Sequence, residues 1–390
     1  MKKSIALTKL IFSLITLLLL TGCLGGIEIN DLEIVTGMAV DKATDSESIL
    51  LTAQIVKPSE MGKSSGGSGG GNKNAFWNVS YTGKSVFEAT RQITYKTGNK
   101  LFLSHDEVVI FGKDIAEENI QKYIDFFLRE NTMRPGTLVL VAEGRASDIL
   151  DAGTEKEKLP AINAANLVKN YGFTSQLYEI NLNDFAGRLI SSTTSPIAPL
   201  IKVATDNGKK DVAVSGMAVF NKGKMAGTLN EAETRGLLWV LNKIKSGVIT
   251  IPAPDGKGKV AFEIADAKSS VEPVIKGNKI FINIKVKQKA ILSEQSTTEN
   301  LENVQEFETL QKSLTEAIRH EIMTAYNKSK ELNSDIFGFG DMLHRKYRKE
   351  WKTLENKWKD IYPQLILNID VEAQIAGTDL LTRPAAPKKE

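Results

Sequence analysis

Side chains able to do covalent or metal chemistry are scarce in this 390-residue chain. It holds one cysteine, Cys23, and three histidines, His105, His320 and His344. No two histidines stand four residues apart and none has a cysteine partner, so the spacing of a zinc site is missing. His320-Glu321 and His344-Arg345 fall on amphipathic stretches, where a structural or solvent-facing role is expected. His105-Asp106-Glu107 precedes an apolar strand and is the best single candidate for acid–base work. It lacks a nucleophile: no Gly-x-Ser-x-Gly elbow occurs, and no serine is tied to His105 by spacing. With 47 acidic residues, neighbouring carboxylates arise by chance and do not identify a glycosidase pair. The glycines of Ser64–Gly71 have no apolar strand before them and no Lys-Ser/Thr after them, so they make no phosphate loop. The residues predict no catalytic site, no metal site and no cofactor. This reads as a non-enzyme.

Cys23 sits in a more telling context. Lys2, Lys3 and Lys9 give a positive start, and Leu10 to Leu20 is apolar apart from Ser13 and Thr16. That run of about a dozen residues fits the core of a signal peptide and falls short of the ~20 a spanning helix needs. It ends in Leu20-Thr21-Gly22-Cys23, which resembles a bacterial lipobox. There the cysteine thiol takes a diacylglycerol, and cleavage removes residues 1–22. A lone cysteine also rules out an internal disulfide, although export would permit one.

Charge supports the same reading. The chain has 50 Lys and Arg against 47 Asp and Glu. Three of those lysines and no acidic residue precede Cys23, so the mature chain is neutral. A neutral surface gives no electrostatic reason to expect nucleic acid or a polybasic grip on anionic lipid. Attachment to a membrane would rest on the lipid at Cys23.

The elements that follow are legible in part. Ile27 to Val40, Ile49 to Val56, Glu107 to Phe111 and Leu138 to Ala142 read as strands. A Gly/Ser stretch at about 59–74 has nothing to bury and is expected to be a disordered loop. Ser85 with Glu88, and Asp114 with Glu117, have capping-box spacing, each opening a helix. The second helix puts Ala116, Ile120, Tyr123, Ile124 and Phe127 on one face. A short helix is expected from Ser147 to Asp151. Strand, turn and strand follow over Val212 to Phe220 and from Met225, then a helix over Glu231 to Lys245. Val260 to Ile264 and Ile280 to Ile291 are strands, the second alternating Ile280, Ile282, Ile284 and Val286 against a lysine row. That row reads as a solvated face or as protection of an edge strand. A long helix carries Phe307, Leu310, Leu314, Ile318, Ile322 and Ala325, a core-facing stripe. A further helical stretch spans Asp341 to Lys359, and Leu365 to Ile375 alternates as a half-buried strand. Polar breaks at Thr205 to Lys210 and Ser293 to Glu302 divide the chain. The expected class is α+β, with three dissimilar mixed domains at 23–204, 211–292 and 298–381, then a tail at 382–390.

Several blocks then carry a resemblance that composition does not. They are Glu28-Ile29-Asn30-Asp31-Leu32, Ile34-Val35-Thr36-Gly37 with Asp41, His105, Asp125-Phe126-Phe127-Leu128-Arg129-Glu130, and Gly144-Arg145-Ala146. The most specific is Asp335-Ile336-Phe337-Gly338-Phe339-Gly340, followed by His344-Arg345, Lys349-Glu350-Trp351 and Trp358. In this order they resemble the Ger(x)C family, the lipoprotein C subunits of spore germinant receptors. Two departures stand out. Leu24-Gly25-Gly26-Ile27 replaces the Trp-Asp and basic residues usual after the lipidated cysteine. Arg348 replaces a common proline, which predicts a straighter helix there.

The resemblance implies a three-domain α+β protein, lipid-anchored at Cys23 on the outer face of the spore inner membrane. It implies assembly with the integral-membrane A and B subunits of a receptor for small nutrients. Asp335, Phe337, Gly338, Phe339, Gly340, Trp351 and Trp358 are the residues it singles out, for packing or for partner binding. An exposed aromatic cluster would mark an interaction patch and a buried one a core. The rival readings are a lipid-tethered solute-binding protein of a transporter, which needs two similar lobes, and a surface hydrolase resting on His105.

Overall fold

The computed structural model describes residues 31–378 except 46, 62–73, 154–156, 207, 298–300 and 302–303; before Asp31 it describes only Ile5, Lys9, Ser13 and Glu28. The signal peptide, Cys23, most of the Gly/Ser stretch and the tail therefore lie outside the described residues. No described helix is long and apolar enough to cross a membrane.

Two sheets organise the chain. The larger contains β1 (Leu32–Lys42), β2 (Ile49–Val56), β3 (Phe76–Gly83), β4 (Lys100–Phe102), β5 (Val108–Phe111), β6 (Leu138–Ala142), β7 (Ile197–Asp206), β8 (Lys209–Asn221) and β9 (Lys224–Leu229). Its order is β3-β2-β1-β5-β6-β7-β8-β9, with β4 beside the start of β1. The centre β1-β5-β6-β7 is parallel, and both wings are antiparallel. Buried parallel strands are apolar throughout: Val108–Phe111 and Leu138–Ala142 have every residue buried. The smaller sheet has the order β10 (Val248–Pro252), β11 (Lys259–Lys276), β12 (Lys279–Gln295), β13 (Ile366–Thr378).

Helices cover these sheets. In chain order they are α1 (Pro58–Met61), α2 (Val86–Thr97), α3 (Lys113–Asn119), α4 (Gln121–Arg129), α5 (Ala146–Asp151), α6 (Pro160–Lys169), α7 (Leu182–Ile190), α8 (Glu231–Leu241), α9 (Val304–Glu331), α10 (Phe339–Lys346), α11 (Arg348–Leu354) and α12 (Trp358–Ile361). Helices α8 and α9 pack tightly together, and α8 also touches β8, β9, β11 and β12, so the pair joins the two sheets. Their approach is close because Gly236 has no side chain. A Cβ there would lie 2.1 Å from the Glu321 carbonyl oxygen.

Several expectations need correction. The break at Thr205 to Lys210 is the tip of the β7–β8 hairpin, and one sheet runs across it to β9. The segment 211–292 is accordingly shared between the sheets: β8 and β9 complete the large one, and β10 to β12 build the small one. Polarity marks a hairpin tip and a linker alike. The lysine row of β12 protects no edge, because β12 lies between β11 and β13; Lys285, Lys287 and Lys289 are exposed on the solvated face. Asp114 caps nothing: Gly112 is the N-cap of α3, and Asp114 is already inside the helix. The chain turns again at Ile120, dividing the single expected helix into α3 and α4. Arg348 does not straighten its helix, since Tyr347 (φ −124°, ψ 60°) breaks it between α10 and α11. Pro58–Met61 is a helical turn where a loop is expected from 59.

Candidate functional site

Cys23, the expected lipidation site, lies outside the described residues, so the candidate site is built from the remaining singled-out residues. His105 is exposed, with its ring 5.6 Å from that of Phe102. Its neighbour Asp106 is the unusual group: 2% exposed, with no hydrogen-bond partner on either carboxylate oxygen. Its backbone is fixed, the N–H donating to Leu103 O and the carbonyl accepting from Thr137 Oγ1. Burial pushes the Asp106 carboxyl well above the usual range; the Val108 N–H opposes this without completing a hydrogen bond, and Glu107 adds to it. A buried acid raised in this way favours folding most where it is protonated, and that contribution is lost as pH rises through its folded pKa. Asp106→Asn is therefore expected to raise the melting temperature at neutral pH. It should also flatten the decline in stability above the ordinary carboxylate range, as read by thermal melts across pH. An unchanged slope would contradict this.

The distant blocks meet in space. The Asp41 carboxylate, at the end of β1, accepts N–H groups from Ala146 (2.6 Å) and Ser147 (2.8 Å). It thereby caps α5, where the Arg145 side chain at the N-cap accepts none of the helix N–H groups. A Cβ at Gly112 would fall 2.4 Å from Asp41 Oδ1, so a glycine makes room for the cap. The Ser85 hydroxyl caps α2 by accepting the Glu88 N–H, while the Glu88 carboxylate reaches the N–H of Lys84.

The Asp335 segment is the densest of these meeting points. Asp335 Oδ1 accepts N–H groups from Gly338 (2.8 Å) and Phe339 (3.1 Å), and Oδ2 accepts that of Gly340 (2.8 Å). The carboxylate thus seats the first turn of α10. Gly338 takes φ +73°, a left-handed conformation that glycine enters without strain. A Cβ at Gly340 would meet Thr193 Cβ at 2.6 Å. Burial pushes the Asp335 carboxyl up to about 6, against the pull of its three N–H donors and with a further push from Asp341.

Around this turn stand Phe337 and Phe339, stacked at 4.9 Å, then Tyr362, Trp358 and Trp351, each within 6.5 Å of the next ring. Phe337, Phe339, Trp351 and Trp358 are all at most 5% exposed. They form a core, and the aromatic rings themselves offer no patch. His344 stacks on Trp351 at 5.6 Å. The indole N–H groups of Trp351 and Trp358 are buried without partners.

The loop before β7 closes the arrangement. In Ser191-Ser192-Thr193-Thr194-Ser195, the Ser191, Thr193 and Thr194 hydroxyls all donate to the Asp341 carboxylate. Thr194 pairs with Asp335 in a parallel bridge, and Ser195 N–H donates to Asp335 O at 2.8 Å. Arg188, from α7, donates to the carbonyls of Ser195 and Ile336, both at 3.0 Å. Burial lowers the Arg188 pKa, opposed by Tyr178, Asp335, Asp184 and Asp341. A cleft of about 210 Å³ opens here between Arg188, Thr194, Asn221, Lys222, Glu355 and Trp358.

This arrangement is a latch that holds the C-terminal segment against the large sheet. The Ser191, Thr193 and Thr194 hydroxyls are engaged with the Asp341 carboxylate, contacts that add cohesion. Arg188, Asp341 and the hydroxyl loop were not foreseen from sequence; five consecutive Ser and Thr residues were the available signal. Among the described residues no group of His, Cys, Asp and Glu is placed to hold a metal.

Comparisons with known proteins agree along the chain. Residues 25–203 match the family described as spore germination protein N-terminal domain, and residues 215–379 match spore germination B3/GerAC like, C-terminal. The chain is 26% identical to the putative spore germination protein YfkR of Bacillus subtilis (strain 168), covering 95% of each. It is 26% identical to spore germination protein KC of the same organism over 96% of each, and 25% identical to spore germination protein B3 over 92% of this chain and 94% of that one. The crystal structure of the GerBC protein superposes with a TM-score of 0.54 at 20% identity, covering 87% of this chain and 97% of that chain. That likeness shows the mixed α+β fold. The seam between the two matched regions falls at the β7–β8 hairpin.

Proposed function

The chain belongs to the Ger(x)C family of spore germination proteins, and from that premise we propose that it is a non-catalytic, lipid-anchored subunit of a nutrient receptor required for spore germination. The observation that carries the reading is the family match on both sides of the seam, over residues 25–203 and 215–379. Cys23, at the end of its lipobox, carries the lipid. The body sits on the outer face of the spore inner membrane beside the integral-membrane A and B subunits. The seven residues singled out at the C-terminal signature serve by packing, since the latch they build orients the C-terminal segment. A two-lobed solute receptor is disfavoured, because among the described residues nine strands in one sheet and four in the other are not two similar lobes.

Deletion is expected to abolish germination in response to a nutrient while leaving growth and sporulation intact; a growth defect with normal germination would sink the proposal. For the anchor, Cys23→Ala should leave an uncleaved precursor that takes up no labelled palmitate in cells. Label retained by that variant would refute lipidation at Cys23.

A further inference from the structure

The lipid reading of Cys23, combined with the topology of the large sheet, constrains which way the body stands. Glu28 O accepts the Asp31 N–H at 3.0 Å, a turn immediately before β1. Glu28 lies five residues beyond Cys23, a reach of at most ~18 Å when fully extended. The turn adds less than ~7 Å more. The start of β1 is therefore held within ~25 Å of the lipid, the sum of those two reaches.

The register then sorts the loops into two ends. Leu32 pairs with Lys100, Gly37 with Val108, and Val108 with Leu138, all in parallel, so β1, β4, β5 and β6 begin at one end. That end exposes Asp31, Lys100, His105 and Arg134, and Ser104 Oγ donates to Thr132 O across its loops. At the other end Lys42 pairs with Ile49, Ile49 with Gly83, and Phe111 with Val141, placing Lys84, Lys113 and Glu143 there, all exposed. The eleven residues of β1 separate the ends by about 36 Å at ~3.3 Å per residue.

We propose that the end carrying Asp31, Lys100, His105 and Arg134 faces the lipid headgroups, and that the end carrying Lys84, Lys113 and Glu143 points away from them. The tether cannot satisfy the reverse pose. With the far end on the headgroups, Asp31 would stand about 36 Å above them, beyond the ~25 Å that the leader spans. The facing end suits a headgroup plane: Lys100 and Arg134 offer cations, Asp31 a carboxylate, and Phe102 lies half-buried beneath the His105 ring. The inference rests on lipidation at Cys23.

The test uses the full lipidated chain in vesicles of phosphatidylcholine and phosphatidylglycerol that contain a lipid with a quencher on its headgroup. Cys23 is the sole cysteine and its thiol is consumed by the lipid, so introduced cysteines can be labelled singly. Fluorophores at Lys100→Cys and Arg134→Cys are expected to lose more than half their emission, while those at Lys84→Cys and Glu143→Cys keep nearly all of theirs. An anchored chain whose far-end labels are quenched as strongly as the near-end ones overturns the orientation alone. An unsubstituted chain that takes the label at Cys23 and stays in solution overturns the anchoring reading and, with it, this one.

Discussion

Replacing Glu321 by alanine is expected to lower the unfolding free energy by about 3–5 kcal/mol, because it strands a buried cation. Arg235 of α8 meets Glu321 of α9 with both side chains about one-tenth exposed. Arg235 Nε donates to both carboxylate oxygens at 3.1 and 3.0 Å, its terminal nitrogens donate to Glu321 Oε1 and to Val248 O, and Trp239 Nε1 donates to Glu321 Oε2 at 2.9 Å. One carboxylate therefore satisfies a guanidinium and a fully buried indole. Alanine leaves the indole without an acceptor and the guanidinium with the Val248 carbonyl but no counter-ion, at the junction of the two sheets. Urea unfolding measures the loss. The pair need not stabilise the fold relative to an apolar one, since desolvating two ions offsets their attraction. The double variant Arg235→Met/Glu321→Leu should accordingly recover most of the stability that Glu321→Ala loses. A double variant as unstable as the single one would show that the ions do more than compensate each other.

The second large effect is expected at Asp335. Asp335→Ala removes the acceptor of three backbone N–H groups, and a buried donor left unmade costs ~1–3 kcal/mol. Some of that is returned, because the variant no longer buries a carboxylate. A net loss of about 2–4 kcal/mol is expected, comparable to losing a strong helix cap together with a further buried bond. The pH dependence distinguishes this from a simple packing defect. With its folded pKa raised to about 6 from 3.8, Asp335 favours folding most below the unfolded value, and that contribution fades as pH rises through about 6. Above that it is flat. Chemical denaturation between pH 4 and 7 should show this slope in the wild type and a shallower one in Asp335→Ala. Equal slopes would mean that the carboxyl is ionised throughout and held by its three donors.

The sequence made local features readable and hid those that depend on partners far along the chain. Ile49–Val56 is a strand with the expected bounds because Pro58 and its apolar run are local signals. Ser85 caps its helix, and the Leu310, Leu314, Ile318 and Ile322 stripe is buried, for the same reason. Helix α6 is hard to read because Pro160–Lys169 is rich in small residues and even its Asn163 is buried, so its polar stripe is weak. Strand β11 runs the full length of Lys259–Lys276, but Ala, Ser and Asp dilute its alternation and Pro273 argues against a strand. The neighbours of β12 are not encoded in its own alternation, so its lysine row fits a solvated face and a protected edge equally. Within the candidate site, the glycines and aromatics of 335–340 stood out by type. Their counterparts did not: Ser191 is 150 residues from Asp341, Arg188 is 148 from Ile336, and Arg235 is 86 from Glu321. No periodicity encodes such pairings. Asp106 was overshadowed by His105, although burial separates the two completely.

The β7–β8 hairpin has a consequence for dissecting the molecule. A cut at the seam would leave β7 in one piece and β8 in the other, each stripped of a ladder that runs from Ile197 with Val219 to Asp206 with Lys209. The first piece would end in a raw sheet edge, open to pairing with another copy. The second would keep β8 and β9 with no sheet to join. The two halves are therefore not independent modules in series, and each supplies a missing strand to the other.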